Sequence, residues 1–159
     1  MSEIDDLISR YAAAPRHLRA AVTTLDAGAL NHRETESDWS ARQIVHHIAD
    51  SELVAAVRIR QVLAEREPRF AVFDQDAWAA AFRYADRDET ELNRDLDLFT
   101  LLRSGTERLL RAAPPERWEA VGYHPERGPM TLRQLVSLFA GHADVHLEQL
   151  RRAAGAVRV

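Results

Sequence analysis

The sequence predicts an all-α protein: a bundle of four long amphipathic helices with one short extra helix. Three observations lead there. Glycine and proline number only six each, few for a turn-rich all-β fold, while the good helix formers alanine, leucine and arginine are frequent. Apolar residues recur at the 3.6-residue period in separate long stretches, and no stretch reads as a strand. Helix-capping signatures stand where two of these stretches begin. The 159 residues read as one domain, 1–159, with no repeat, low-complexity segment or linker-like shift in composition.

The first helix runs from about Ser2 to Asp26, with Pro15 kinking it or starting a second helix. Leu18, Val22 and Leu25 supply its apolar face. A polar loop follows over about 27–38. The second helix begins at Ser40, where Gln43 three residues on completes a capping box and Trp39 can act as a staple. Ile44, Ile48, Ser51, Ala55, Ile59 and Val62 line one face until Glu67-Pro68 stops it. A loop around 67–74 leads to the short helix, about Gln75–Tyr84, carrying Trp78 and Phe82. The third long helix, about Asp88–Ala112, shows Leu92, Leu96, Phe99, Leu102 and Leu110 and ends before Pro114-Pro115. Residues 115–130 read as an irregular loop. Thr131 and Gln134 form another capping box, opening a last helix over about 132–154 that Gly155 closes.

Composition excludes several classes of function. A net charge of −4, with arginines scattered among acids, leaves no basic stripe for nucleic acid. The absence of cysteine removes disulfides, thiolate catalysis and any Cys-based zinc site. No segment approaches the roughly 20 apolar residues of a membrane helix, and MSEIDDLISR lacks the basic and apolar regions of a signal peptide. The expectation is a cytoplasmic protein without a membrane partner.

The histidines carry the chemical signal. With Leu135 as reference on the last helix, Leu138, Phe139, His142, His146, Gln149 and Leu150 lie within about 60° of it, whereas Asp144 points the opposite way. Two imidazoles at i, i+4 in the middle of an apolar stripe either find polar partners in the core or chelate one metal ion. His46 and His47 are adjacent, so at most one faces inward. Relative to Ile44, His46 falls on the far side and His47 about 60° off the stripe, within reach of a facing helix. His47, His142 and His146 would make the three-histidine set of an open catalytic site, with a further position for water or substrate. His17, His32 and His124 have no such phase and read as surface or loop residues, with His124 also a candidate to lie near the site.

The segments WSARQIVHHIADSE (39–52), FDQDAW (73–78), GYHPERGPMTL (122–132) and GHADVHLEQL (141–150) together resemble the DinB-like superfamily, and within it the YfiT-like branch of metal-dependent hydrolases. The resemblance implies an up-down-up-down four-helix bundle, commonly a homodimer, with a divalent metal ion, zinc or nickel, on three histidines that match His47, His142 and His146. It also implies a small-molecule substrate. Thiol S-transferases of the superfamily make a low-molecular-weight thiol an alternative cosubstrate. Gly141 stands where this branch tends to have tryptophan, and Ala143, Asp144 and Val145 replace a segment that is often richer in histidine.

The expected function is therefore a metal-dependent hydrolase of a small molecule. Thiol transfer and a non-catalytic metal-binding bundle are the alternatives. Three ligands rather than four favour an open site over a structural one, and Glu-x-x-His pairs for a di-iron centre do not recur in phase. Glu52, about 80° from Ile44, and Gln149 are the candidate catalytic residues beside the metal. Asp50 and Asp144 are expected in solvent unless one orients a ligand histidine. Arg58 falls in phase with the inner stripe about 16 Å beyond His47; it can snorkel outward, pair with Asp74 or Asp76, or hold an anionic substrate.

Overall fold

The computed structural model describes residues 2–155. Its four long helices are α1 (Glu3–Val22), α3 (Ala41–Ala64), α5 (Glu89–Ala112) and α6 (Leu132–Gly155). The short helices α2 (Ala27–Asn31) and α4 (Gln75–Ala81) lie in the connections. Capping boxes start α1 (Ser2 with Asp5), α3 (Ser40 with Gln43) and α5 (Asp88 with Glu91), each satisfying backbone N–H groups that the first turn leaves free.

Pro15 neither breaks α1 nor starts a new helix. A proline inside a helix leaves the carbonyl four residues earlier without its N–H partner. Here that carbonyl belongs to Tyr11, and it accepts a bond of 2.6 Å from Arg103 Nη1 on α5. A side chain from a neighbouring helix thus replaces the missing backbone donor.

The four long helices form the expected bundle, but its traverse is not up-down-up-down. Contacts pair Glu3 with Arg133 and Arg10 with Asp144, so α1 and α6 run parallel. His46 meets Asp95 and Glu52 meets Arg103, so α3 and α5 are also parallel. Arg19–Asp97 and Arg103–Tyr11 make α1 and α5 antiparallel, so α3, parallel to α5, runs antiparallel to α6. The order is up-down-down-up, with α1 diagonal to α3. The physical reason is the connection between α3 and α5. Residues 65–88 are long enough to bring the chain back along the full length of α3, and they carry α4 and a 3₁₀ turn at Tyr84–Asp86.

Residues 115–131 are more ordered than an irregular loop. Pro115–Glu119 forms a 3₁₀ helix, and β1 (Val121–His124) pairs with β2 (Gly128–Thr131) in an antiparallel hairpin. Four-residue strands containing Gly122 and Pro129 give no readable alternation, and Pro129 is tolerated because β2 is an edge strand. Tyr123 ties the hairpin to the crossover: its N–H donates to Pro68 O (2.8 Å) and its carbonyl accepts from Phe70 N (3.0 Å). Gly122 permits this approach, since a Cβ there would stand 2.4 Å from Phe70 Cζ.

The apolar interior has two parts. One gathers Leu18, Ile44, Ile48, Leu96, Phe99 and Leu150; the other gathers Ile8, Ile59, Leu110, Leu132, Leu135 and Phe139. Between them lies a polar layer containing Ser51, Glu52, Arg103 and Thr106, all buried. The candidate site opens from this level.

Candidate metal centre

Every residue from Ala41 to Ala49 is buried, because α5, α6 and the crossover enclose this half of α3. His46 and His47 are both 0% exposed, which corrects the expectation that only one could face inward. His46 turns toward α5, where its Nδ1 lies 2.6 Å from Asp95 Oδ2; Arg87 donates to the same carboxylate oxygen at 2.7 Å. His47 turns toward α6.

Three Nε2 atoms converge there. His47 is 3.2 Å from His142 and 3.1 Å from His146, and those two are 3.0 Å apart. The set can be tested against an ion. Metal–nitrogen bonds of about 2.1 Å give nitrogen–nitrogen separations of about 3.0 Å at right angles and about 3.4 Å in a tetrahedron. The observed spacings fall in that interval. The three side chains therefore form a cluster able to hold one metal ion.

The electrostatics suit the same purpose. Burial, followed by the neighbouring His146 and His142, lowers the His47 pKa to about 3. Burial, followed by His146 and Arg103, lowers His142 to about 3. Burial also depresses His146, against the hydrogen bond that its Nδ1 donates to Gln149. Neutral imidazoles at neutral pH present lone pairs, the form that binds metal.

Packing fixes the rings. The Trp39 ring lies 4.8 Å from that of His47, and the Phe73 ring lies nearly parallel to it, 6.3 Å away with an interplanar angle of 12°. The Ser51 hydroxyl is within 3.4 Å of both His47 nitrogens. His146 Nδ1 donates to Gln149 Oε1 at 2.9 Å, which leaves Nε2 as the lone-pair atom directed at its two neighbours.

Other sequence-derived candidates lie elsewhere. Glu52 is 2% exposed and its carboxylate is engaged by Arg103 Nε at 2.6 Å and by the Tyr11 hydroxyl. It does not line the cleft beside the histidines. Asp144 binds Arg10 on the surface, as its phase predicts. Asp50 is not in free solvent: it is half-buried, accepts from the Tyr84 hydroxyl, and has its pKa raised chiefly by burial. His17 is exposed. Arg103 was not legible as a core residue, although the run Leu96, Phe99, Arg103, Thr106, Leu110 keeps the i+3/i+4 step. Leu102 is only partly buried, and the charge on Arg103 masked the phase.

A family model described as the DinB superfamily matches residues 10–150. The chain belongs to the DinB superfamily. A relative from Oceanobacillus iheyensis, provisionally named a metal-dependent hydrolase, is 28% identical over 150 residues, covering 94% of this chain and 81% of the relative. A second, from Halalkalibacterium halodurans with the same provisional name, is 26% identical over 151 residues, covering 95% and 86%. Among solved structures, YfiT from Bacillus subtilis superposes with a TM-score of 0.88 at 24% identity, over 98% of this chain and 89% of its own. YfiT is described as a probable metal-dependent hydrolase with an unusual four-helix bundle topology. That likeness establishes the fold.

Proposed function

We propose that this DinB-superfamily protein is a divalent-metal-dependent hydrolase of a small molecule, with His47, His142 and His146 as ligands. The convergence of three neutral imidazole Nε2 atoms at 3.0–3.2 Å carries the reading. The names of the relatives support its hydrolytic part. Zinc or nickel is the ion proposed; imidazole ligands suit both, as they suit copper and iron. An ion bound there supplies Lewis acidity and lowers the pKa of water toward about 7.

The chain's own residues do the rest. Gln149 is a positioning residue: it holds the His146 ring in the tautomer whose Nε2 is free. Trp39 and Phe73 pack near the His47 ring and restrict its rotation. A cleft lined by Ser51, Phe73, His47 and His142 gives a substrate access to two of the three histidines. Because Glu52 is engaged within the core, a proton acceptor for the reaction has to come from solvent, the substrate or the cleft wall.

Elemental analysis of purified protein beside a His142→Ala/His146→Ala variant tests the assignment. About one equivalent of metal in the wild type and none in the variant is expected; equal content in both overturns it. Turnover of ester and amide probes without added thiol supports hydrolysis. Turnover only with a small thiol would replace hydrolysis by thiol transfer on the same ligands.

A further inference from the structure

Arg58 of α3 is 5% exposed, yet no carboxylate pairs with it among the described residues. Asp74, one partner the sequence suggested, instead caps α4 by accepting from Ala77 N. Arg58 Nη2 donates to Ala71 O at 2.8 Å, Nη1 lies 3.1 Å from His124 Nε2, and the buried Nε has no partner. Burial depresses the pKa of this guanidinium, with only the exposed Glu126 opposing the shift. Beyond these contacts and a cation–π contact with the Phe70 ring, 5.5 Å from its centroid, no group among the described residues offsets the charge, and a buried cation in this state is costly.

Donors outnumber acceptors at this corner. His124 Nδ1 lies 3.2 Å from the Glu126 backbone N–H while its Nε2 faces Arg58 Nη1. A neutral imidazole has one lone pair and cannot accept from both. Whichever nitrogen carries the proton, a donor is left facing another donor. An oxyanion entering between Arg58 and His124 would give these donors the acceptor they lack.

Arg58 and His124 line the same cleft as His47 and His142. The Cα atoms of His47 and Arg58 are about 16 Å apart along the helix, and side chains on a helix lean toward its N-terminus, so the arginine reaches back along the cleft. We propose that the end of this cleft formed by Arg58 and His124 is an anion-binding subsite, and that the substrate is a small molecule with a carboxylate or phosphate head seated there. Which end of that molecule reacts follows from the metal-centre reading above, on which this part rests; the anion subsite does not depend on it.

Calorimetric titration with inorganic phosphate, and separately with propionate, tests the subsite. The His142→Ala/His146→Ala protein serves as background, with and without Arg58→Met, so that phosphate on a metal ion is not mistaken for phosphate on arginine. Saturable binding of at least one probe, weakened about tenfold or more by Arg58→Met, is expected for a lost charge-assisted fork. A smaller loss, or no saturable binding of either probe when Arg58 is present, overturns the proposal. Phosphate-only binding assigns a phosphoryl head, and propionate binding a carboxylate. Circular dichroism checks folding; if the methionine variant does not fold, Arg58→Lys is held to the same tenfold criterion, since it keeps the charge and loses the fork. The metal content of the wild type judges the other reading separately. A metal-free wild type refutes the metal centre and leaves the anion result standing, and a metal-loaded protein without an Arg58-dependent site does the reverse.

Discussion

Replacing Glu52 by leucine separates a structural role from a catalytic one. Arg103 reaches all the other long helices: Nε to Glu52 on α3 (2.6 Å), Nη1 to the Tyr11 carbonyl on α1 (2.6 Å) and Nη2 to the Phe139 carbonyl on α6 (2.9 Å). Its guanidinium also stacks 3.7 Å above the Tyr11 ring. Both Glu52 and Arg103 are 2% exposed, so removing the carboxylate strands a positive charge in the core. Breaking a buried pair in this way costs about 3–5 kcal/mol. The Tyr11 hydroxyl loses its acceptor in the same substitution, adding about 1–3 kcal/mol. Glu52→Leu is therefore expected to lower unfolding free energy by about 4–8 kcal/mol, a large share of the roughly 5–15 kcal/mol that holds a domain together.

Glu52→Gln keeps the shape and an acceptor for Arg103, and its loss should be smaller. Adding Arg103→Met to Glu52→Leu should recover part of the deficit, because the stranded charge goes with it. Urea unfolding followed by circular dichroism measures all three, with metal content determined alongside. If Glu52→Leu stays within about 1 kcal/mol of wild type while turnover is abolished, the structural assignment fails and Glu52 returns as a candidate base.

Three other outcomes follow from the same geometry. Gln149→Leu removes the acceptor that orients His146, and metal affinity should drop about 10–100-fold with little change in fold; unchanged affinity in a competition titration would refute the positioning role. The histidine pKa values sit below their unfolded value, so between about pH 6.5 and about 3 the unfolded chain binds the extra protons. Metal-free protein should thus lose stability as pH falls through that window, by up to about 1.4 kcal/mol per pH unit for each histidine. Urea midpoints should show a shallower pH slope in His142→Asn than in wild type, and equal slopes would contradict the shift. Gly122→Ala places a methyl group 2.4 Å from Phe70 Cζ; a loss of about 1–3 kcal/mol is expected from overpacking, and an unchanged thermal midpoint would show that the hairpin yields freely.

Local rules made the helices readable. Ser40 with Gln43 marks a helix start wherever it occurs, because the first turn always has donors to satisfy. Helical phase likewise put His142 and His146 on one buried stripe, since the 3.6-residue period depends on nothing beyond the chain itself. The hairpin at 121–131 escaped this logic. Its strands are too short for a period and are held by Pro68 and Phe70, more than 50 residues away in sequence.

What the chain alone decided about this protein was its helical class, its main boundaries and the identity of three inward histidines. Tertiary packing decided everything that depends on which elements are neighbours. It set α3 parallel to α5, buried both His46 and His47, and drew Arg103 to the carbonyl that Pro15 leaves unpaired. It also placed Arg58 beside His124 rather than beside an aspartate. Phase fixes the direction of a side chain from its own helix axis, whereas its partner is set by the helix that direction meets. That neighbour is chosen by the long connections and the layered core, which no local window contains.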